Sequence, residues 1–203
     1  MRLHLVRHAR TEYNVAGRLQ GWCDSPLTPG GLKQLRATAD HLAGVELTAA
    51  WASPSGRTTA TAREILRHHD GLRLRADDGL REYAFGALDG QPESELFGEV
   101  DPREFFADVI SGRRPGLPGG EPAAHYVARV ADAFEQIVRA HPDGEVLVVS
   151  HGITLVTYLT LVGFTGVVPL ANCSVSTVEI TGSRAEVVDV GFVPPVSVDR
   201  IAL

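Results

Sequence analysis

Hydrophobic positions along this chain follow two periods. Short apolar runs such as Val146-Leu147-Val148-Val149 have no polar alternation, the pattern of a parallel strand buried on both faces. Longer segments repeat apolar residues every three to four positions, the pattern of helices with one buried face. Read together, they predict a strand over 2–7, then a loop over 17–31. A helix follows from the Thr28-Pro29-Gly30-Gly31 opening to about His41, with Leu32, Leu35, Ala39 and Leu42 on one face. A strand over 47–52 closes at Ser53-Pro54, and Ser55 caps a helix from about Gly56 to His68. A short strand is expected over 72–76. Residues 82–120 are rich in Gly and Pro and read as irregular, apart from one amphipathic helix around Phe105, Phe106, Val109 and Ile110. A long helix runs from about Pro122 to Ala140, with Tyr126, Val130, Phe134, Ile137 and Val138 at helical spacing. A strand over 145–150, a helix from Ile153 to about Leu161, and a hairpin of 175–180 and 185–190 around Gly182-Ser183 complete the chain.

Strands alternating with helices give an α/β class with a mostly parallel central sheet and helices on both faces, a three-layer sandwich. No linker, fixed-period repeat or low-complexity tract divides it, so residues 1–203 are expected to form a single domain.

Composition changes this picture little. The chain is 44% hydrophobic and 22% charged, as soluble globular proteins are. A net charge of −6 disfavours nucleic acid or an anionic membrane surface as partner, so any anion site must be a local basic pocket. The two cysteines, Cys23 and Cys173, form no CxxC pair and suggest neither a disulfide scaffold nor a zinc site. No signal-like apolar core and no membrane-length run is present, and a cytoplasmic location is expected.

Candidate chemistry comes from a near-repetition. Leu5-Val6-Arg7-His8-Ala9-Arg10-Thr11 and Val148-Val149-Ser150-His151-Gly152-Ile153-Thr154 each run an apolar strand into a histidine. Each has a small residue next and a threonine three positions on. Strand ends at the top of an open α/β sheet are where ligands bind, so His8 and His151 can meet in one pocket. Arg7 adds a planar donor fork suited to phosphate oxygens. A neutral His8 imidazole can act as nucleophile if its other nitrogen donates to a backbone carbonyl. His151 stands at a helix start, whose free N–H groups and dipole favour an anion. Arg57 falls in the first turn of a helix that follows a strand, where a cation opposes the dipole unless it holds an anion.

The ordered set Arg7-His8, Asn14, Gln20-Gly21-Trp22, Asp24 to Gly31, Arg57, Leu80-Arg81-Glu82, Phe85-Gly86, Asp89-Gly90, Gly119-Gly120-Glu121 and Ser150-His151-Gly152 resembles the histidine phosphatase superfamily. Within it, the set is most similar to the phosphoglycerate-mutase-like branch of small phosphatases. The resemblance spans Leu3 to about Val190 and implies a phosphoglycerate-mutase-like fold. It implies that His8 is the phosphorylated nucleophile, that Arg7, Arg57 and His151 hold the phosphate with Asn14, and that Gln20 lines the substrate side. Glu82 is implied as proton donor to the leaving group and then base for the hydrolytic water. Should Glu82 not serve, Glu121 is the next candidate acid in the variable segment. Two departures stand out, because Ala9 and Arg10 replace the glycine and the acidic or polar residue usual after the first histidine. Arg10 serves either a second anionic group on the substrate or simply the solvated surface.

Mutases of the family usually carry an arginine after the general-acid glutamate, together with a basic insertion. Here Tyr83 follows Glu82, and Arg113-Arg114 is the single basic pair of the variable segment. The expected activity is therefore hydrolysis of a small-molecule phosphomonoester through a phosphohistidine, with no cofactor and no metal, by a monomer or homodimer. A phosphoglycerate-mutase-type phosphotransferase is the alternative. A metallohydrolase built on His8, His151 and Glu82 lacks HxH or HExxH spacing, and a non-enzymatic phospho-ligand binder would not need both nucleophile and acid.

Overall fold

The computed structural model describes residues 1–166 and 168–196; Val167 and residues 197–203, the end of the expected 1–203 domain, lie outside the described residues. The strands are β1 (Arg2–Arg7), β2 (Leu47–Ala52), β3 (Leu74–Ala76), β4 (Glu145–Ser150), β5 (Val175–Thr181) and β6 (Arg184–Phe192). The helices are α1 (Glu12–Val15), α2 (Pro29–Leu42), α3 (Gly56–Leu66), α4 (Ser94–Phe97), α5 (Pro102–Ile110), α6 (Ala123–Ala140) and α7 (Gly152–Leu161). The sheet has six strands in the order β3-β2-β4-β1-β5-β6. Its first four strands are mutually parallel, while β5 and β6 run antiparallel.

The period of two along each strand divides the core into the two faces of a sandwich. Leu3, Leu5, Val146 and Val148 pack with Phe105, Tyr126, Phe134, Leu155 and Leu159, which come from α5, α6 and α7. Val6, Leu147 and Val149 point the other way, against Leu35, Ala39, Leu42 and Ile65 of α2 and α3. Central strands buried on both faces explain why Val146 to Val149 of β4 reads as an unbroken apolar run.

Three local expectations are corrected. Leu32 is not part of the buried stripe of α2, being 40% exposed. Ser55 sits at the N-cap of α3 but makes no side-chain cap; Asp24 takes that role from a distant loop, accepting from the Arg57 N–H at 3.2 Å. Two four-residue helices were not expected: α1, between the strand over 2–7 and the loop over 17–31, and α4, in the stretch read as irregular. Helix α1 carries a capping box, with Thr11 accepting from the Asn14 N–H and Asn14 from the Thr11 N–H. Helix α4 is too short for any period to declare itself.

Candidate active site

Strands β1 and β4 are neighbours in parallel register, Arg7 opposite Ser150, so the residues that follow them emerge side by side. The His8 N–H donates to the Ser150 carbonyl at 3.0 Å, and the His8 and His151 ring centroids are 5.3 Å apart. His8 Nδ1 lies 2.9 Å from the Ala9 carbonyl oxygen. A carbonyl only accepts, so the proton is on Nδ1 and Nε2 keeps its lone pair. Burial, and then the charges of Arg57 and Arg7, push the His8 pKa well below the ordinary histidine value, which keeps the ring neutral. The rim is braced from behind by Asn172, whose Nδ2 donates to the His8 carbonyl at 3.0 Å, and by the Cys173 N–H on the Arg7 carbonyl at 3.0 Å. Ala9 brings no strain, since Cys173 is the only non-glycine residue with positive φ among the described residues.

His151 is fully buried, and both its nitrogens are engaged. Nε2 lies 2.8 Å from Ser53 Oγ, and Nδ1 lies 2.9 Å from Arg57 Nη2. Arg57 is itself 1% exposed. Its Nη1 donates to the Cys23 carbonyl at 2.8 Å and to Asp24 Oδ1 at 3.1 Å. Its Nη2 donates to the carbonyls of Gln20 and Gly21 at 3.1 and 2.8 Å. Neither Arg57 nor His151 lines the open cavity in front of His8; both form a buried floor beneath it. The Nη groups of Arg57 tie the 20–24 loop to α3. The Nε–H groups of Arg57 and of Arg7 are both buried without a partner.

Arg7, His8, Asn14, Gln20 and Glu82 line one cavity. The Asn14 and Gln20 side-chain oxygens are held by Asn172 Nδ2 at 3.3 Å and by the Thr11 hydroxyl at 2.7 Å. Glu82, only 6% exposed, lies at the N-terminus of α7. Its Oε1 accepts from the Thr154 N–H, the Thr154 hydroxyl and the Tyr83 N–H at 3.1, 3.0 and 3.1 Å. Its Oε2 accepts only from the Ile153 N–H, at 3.0 Å. Thr154, the threonine of the second repeat, therefore serves the carboxylate, whereas Thr11 of the first serves Gln20.

Sequence reasoning missed the group that holds Glu82 in place. Arg129 of α6 donates to the carbonyls of Gly79, Arg81 and Glu82 at 3.0, 2.8 and 2.9 Å. It also pairs with both carboxylate oxygens of Glu121, at 2.9 and 2.5 Å, and Glu121 accepts from the Ala84 N–H at 3.0 Å. Gly120 makes this approach possible, because a Cβ there would stand 2.4 Å from the Ala84 carbonyl. Glu121 is consequently an ion-pair partner outside the cavity rather than a second acid. Arg129 reads as a solvated helix arginine until the fold brings the 79–84 loop against it. Ser53 was visible in the sequence only as a strand-closing residue.

Three basic residues weighed in the sequence lie outside the cavity. Arg113 pairs with Asp108 at 2.9 Å, Arg114 lies over the Phe105 ring at 4.2 Å, and Arg10 is exposed; none of the three lines the cavity. Among the described residues no group of three or more His, Cys, Asp or Glu side chains is placed to hold a metal ion. No described helix is long and apolar enough to cross a membrane.

Paired strand-end histidines, a strand-end arginine and a glutamate on a helix N-terminus define a histidine phosphatase site, and the Histidine phosphatase superfamily (branch 1) description matches residues 3–192. The chain belongs to that family. The protein named "Probable phosphoglycerate mutase GpmB" of Serratia proteamaculans (strain 568) is 33% identical over 187 residues, covering 88% of this chain and 85% of that protein. Among solved structures, Bacillus stearothermophilus YhfR superposes with a TM-score of 0.81 at 29% identity, covering 94% of this chain and 96% of that one. The alpha-ribazole phosphatase from Shigella flexneri superposes with a TM-score of 0.80 at 23% identity, covering 98% of this chain and 100% of that one. That last likeness is one of fold alone.

Proposed function

We propose that the protein is a phosphomonoester hydrolase that works through a phosphohistidine on His8. The observation that carries this reading is the His8 tautomer: Nδ1–H is locked on the Ala9 carbonyl, so a neutral Nε2 lone pair is available in a cavity shared with Arg7 and Glu82. Nε2 attacks phosphorus, the P–O ester bond breaks, and the leaving alkoxide takes a proton from Glu82. Oε2, which has one donor against three on Oε1, is the oxygen with room for that proton. Water then attacks phosphorus, passes a proton to Glu82, and the N–P bond breaks to release inorganic phosphate. The reaction needs no metal or cofactor. Arg7 and Arg57 flank His8, and their unpaired Nε–H groups support an anion at this place. A buried donor without an acceptor costs about 1–3 kcal/mol, which phosphoryl oxygens would recover. Asn14 and Gln20 border the same space and are assigned to phosphate and substrate contacts respectively.

The name of the curated relative favours a second reading, phosphoglycerate mutase. Two features of this chain speak for hydrolysis instead. Tyr83 follows Glu82, and the Arg113-Arg114 pair is directed away from the cavity.

Acid- and base-quenched turnover distinguishes the readings. A phosphate label that is acid-labile, base-stable and lost in His8→Ala is expected, with inorganic phosphate as the product. Label on another residue, full activity of His8→Ala, or transfer to a second phosphoglycerate instead of water would overturn the proposal.

A further inference from the structure

The cavity in front of His8 is about 350 Å³, at the lower end of small-ligand sites, so beyond a phosphoryl group it has room for little more than a ring or a short chain. Its inner end is polar and is formed by the residues already described. Its outer wall is different. Phe97 of α4, Phe106 and Ile110 of α5, Val156 of α7, and Pro169 and Leu170 of the following loop face the space that a leaving group would occupy.

Charge on that outer wall is sparse. Among the described residues lining the cavity, only Arg18 and Glu93 carry charge outside the inner end, and their signs oppose. Arg18 spends one donor, Nη1, on the Gly90 carbonyl at 2.7 Å and lays its guanidinium over the Tyr13 ring. Glu93 would repel a carboxylate or a second phosphate. An anionic leaving group would lose hydration against the aromatic and aliphatic walls, where the one cation of the outer wall, Arg18, is offset by Glu93. An apolar one would gain by burial.

We infer that the substrates are monophosphate esters of uncharged, predominantly apolar alcohols, with Phe97, Phe106 and Ile110 as the specificity wall and Glu93 as the group that excludes a second anion. This inference rests on the phosphomonoesterase reading and narrows it. It separates the chain from the phosphoglycerate chemistry named for its curated relative, because a phosphoglycerate presents a carboxylate to this wall.

A series of n-alkyl monophosphates tests it, since propyl, pentyl and heptyl esters have nearly the same leaving-group acidity and differ in buried methylenes. kcat/KM should rise about fourfold per methylene, the factor equivalent to ~0.8 kcal/mol, until the cavity is full. 3-Phosphoglycerate should be poorer than propyl phosphate by about tenfold or more, as expected for a charge left without a partner. Phe106→Ala should flatten the alkyl series, with thermal unfolding used to confirm that the variant folds. Glu93→Lys, on an exposed side chain, should raise kcat/KM for 3-phosphoglycerate while keeping the alkyl slope. A flat series, or a preference for 3-phosphoglycerate over heptyl phosphate, with phospho-His8 still formed, would overturn the inference and leave the phosphatase reading intact. No turnover of any ester and no phospho-His8 would sink both.

Discussion

Arg57 Nη2 lies 2.9 Å from His151 Nδ1, and this single contact fixes the state of the second histidine. A guanidinium can only donate, so Nδ1 is unprotonated and the ring proton sits on Nε2, from which it is donated to Ser53 Oγ at 2.8 Å. Burial, reinforced by the nearby positive charge of Arg57, pushes the His151 pKa well below its ordinary value. His151 is therefore a neutral N–H donor parked on Ser53 Oγ.

Ser53→Ala tests this parking. Removing the acceptor leaves a buried N–H unpaired, which should cost about 1–3 kcal/mol in the free protein. Vanadate, a mimic of five-coordinate phosphorus, would give Nε2–H a new acceptor. The rise in Tm on adding vanadate should therefore be larger for Ser53→Ala than for the parent. Equal rises would mean that His151 stays on its side of the floor throughout.

Arg57→Ala should hurt the fold as well as the chemistry. Its Nη groups satisfy the carbonyls of Gln20, Gly21 and Cys23 and pair with the half-exposed Asp24, and truncation leaves the buried Gln20 and Gly21 carbonyls without these donors. Each buried carbonyl left without its donor costs about 1–3 kcal/mol. Urea denaturation should show a loss of that order, and kcat of the folded fraction should fall by roughly 10²–10³. A stable variant with reduced kcat would show that Arg57 serves the anion alone.

Stability should also fall in mild acid. His8 and His151 are both held neutral in the fold, with pKa values well below the ordinary 6.5. Below that value the unfolded chain binds protons that the native state refuses, so unfolding takes up protons and stability drops as pH falls. Each histidine contributes a slope of up to about 1.4 kcal/mol per pH unit, beginning near pH 6.5 and continuing down to its folded-state pKa. His8→Asn should remove roughly half of the combined slope. A parent protein whose stability is flat between pH 6.5 and 5 would contradict the buried neutral pair.

The histidine pair was legible because the cause is local. An apolar strand, a histidine and a small residue recur twice, and parallel register does the rest. Helices α5 and α6 were legible for the same reason, a sustained period that buries one face. The burial of Arg57 was not legible, because its partners Gln20 to Asp24 are more than thirty residues away and offer backbone carbonyls, which no side-chain pattern announces. Ser55 misled in the same way, since a good cap residue was present but Asp24 arrived first. Phe106 read as an ordinary helix-face residue, and Phe97 fell in a stretch read as irregular. Only the packing of α4, α5 and α7 around the strand ends exposes them to one space.

Arg129 gives the last prediction. Its guanidinium spans the carbonyls of Gly79, Arg81 and Glu82 and the carboxylate of Glu121, so it fixes the loop that aims Glu82 without touching the cavity. A lysine keeps the charge but cannot reproduce the fork. If Glu82 is the proton donor, misplacing it should matter only where the leaving group needs a proton. Glu82→Gln should slow alkyl phosphate cleavage by about 10²–10⁴ and nitrophenyl phosphate cleavage far less. Arg129→Lys should show the same selectivity in weaker form, up to about 10² for the alkyl ester, because a displacement near 1 Å costs that much. Single-turnover phosphorylation of His8 is the proper readout, since it excludes the later hydrolytic step in which Glu82 acts as base. A merely structural role for Arg129 would slow both substrates equally and lower the folded fraction. Equal slowing of both substrates by Glu82→Gln would instead assign Glu82 to holding the start of α7, where Ile153 and Thr154 already bind its carboxylate.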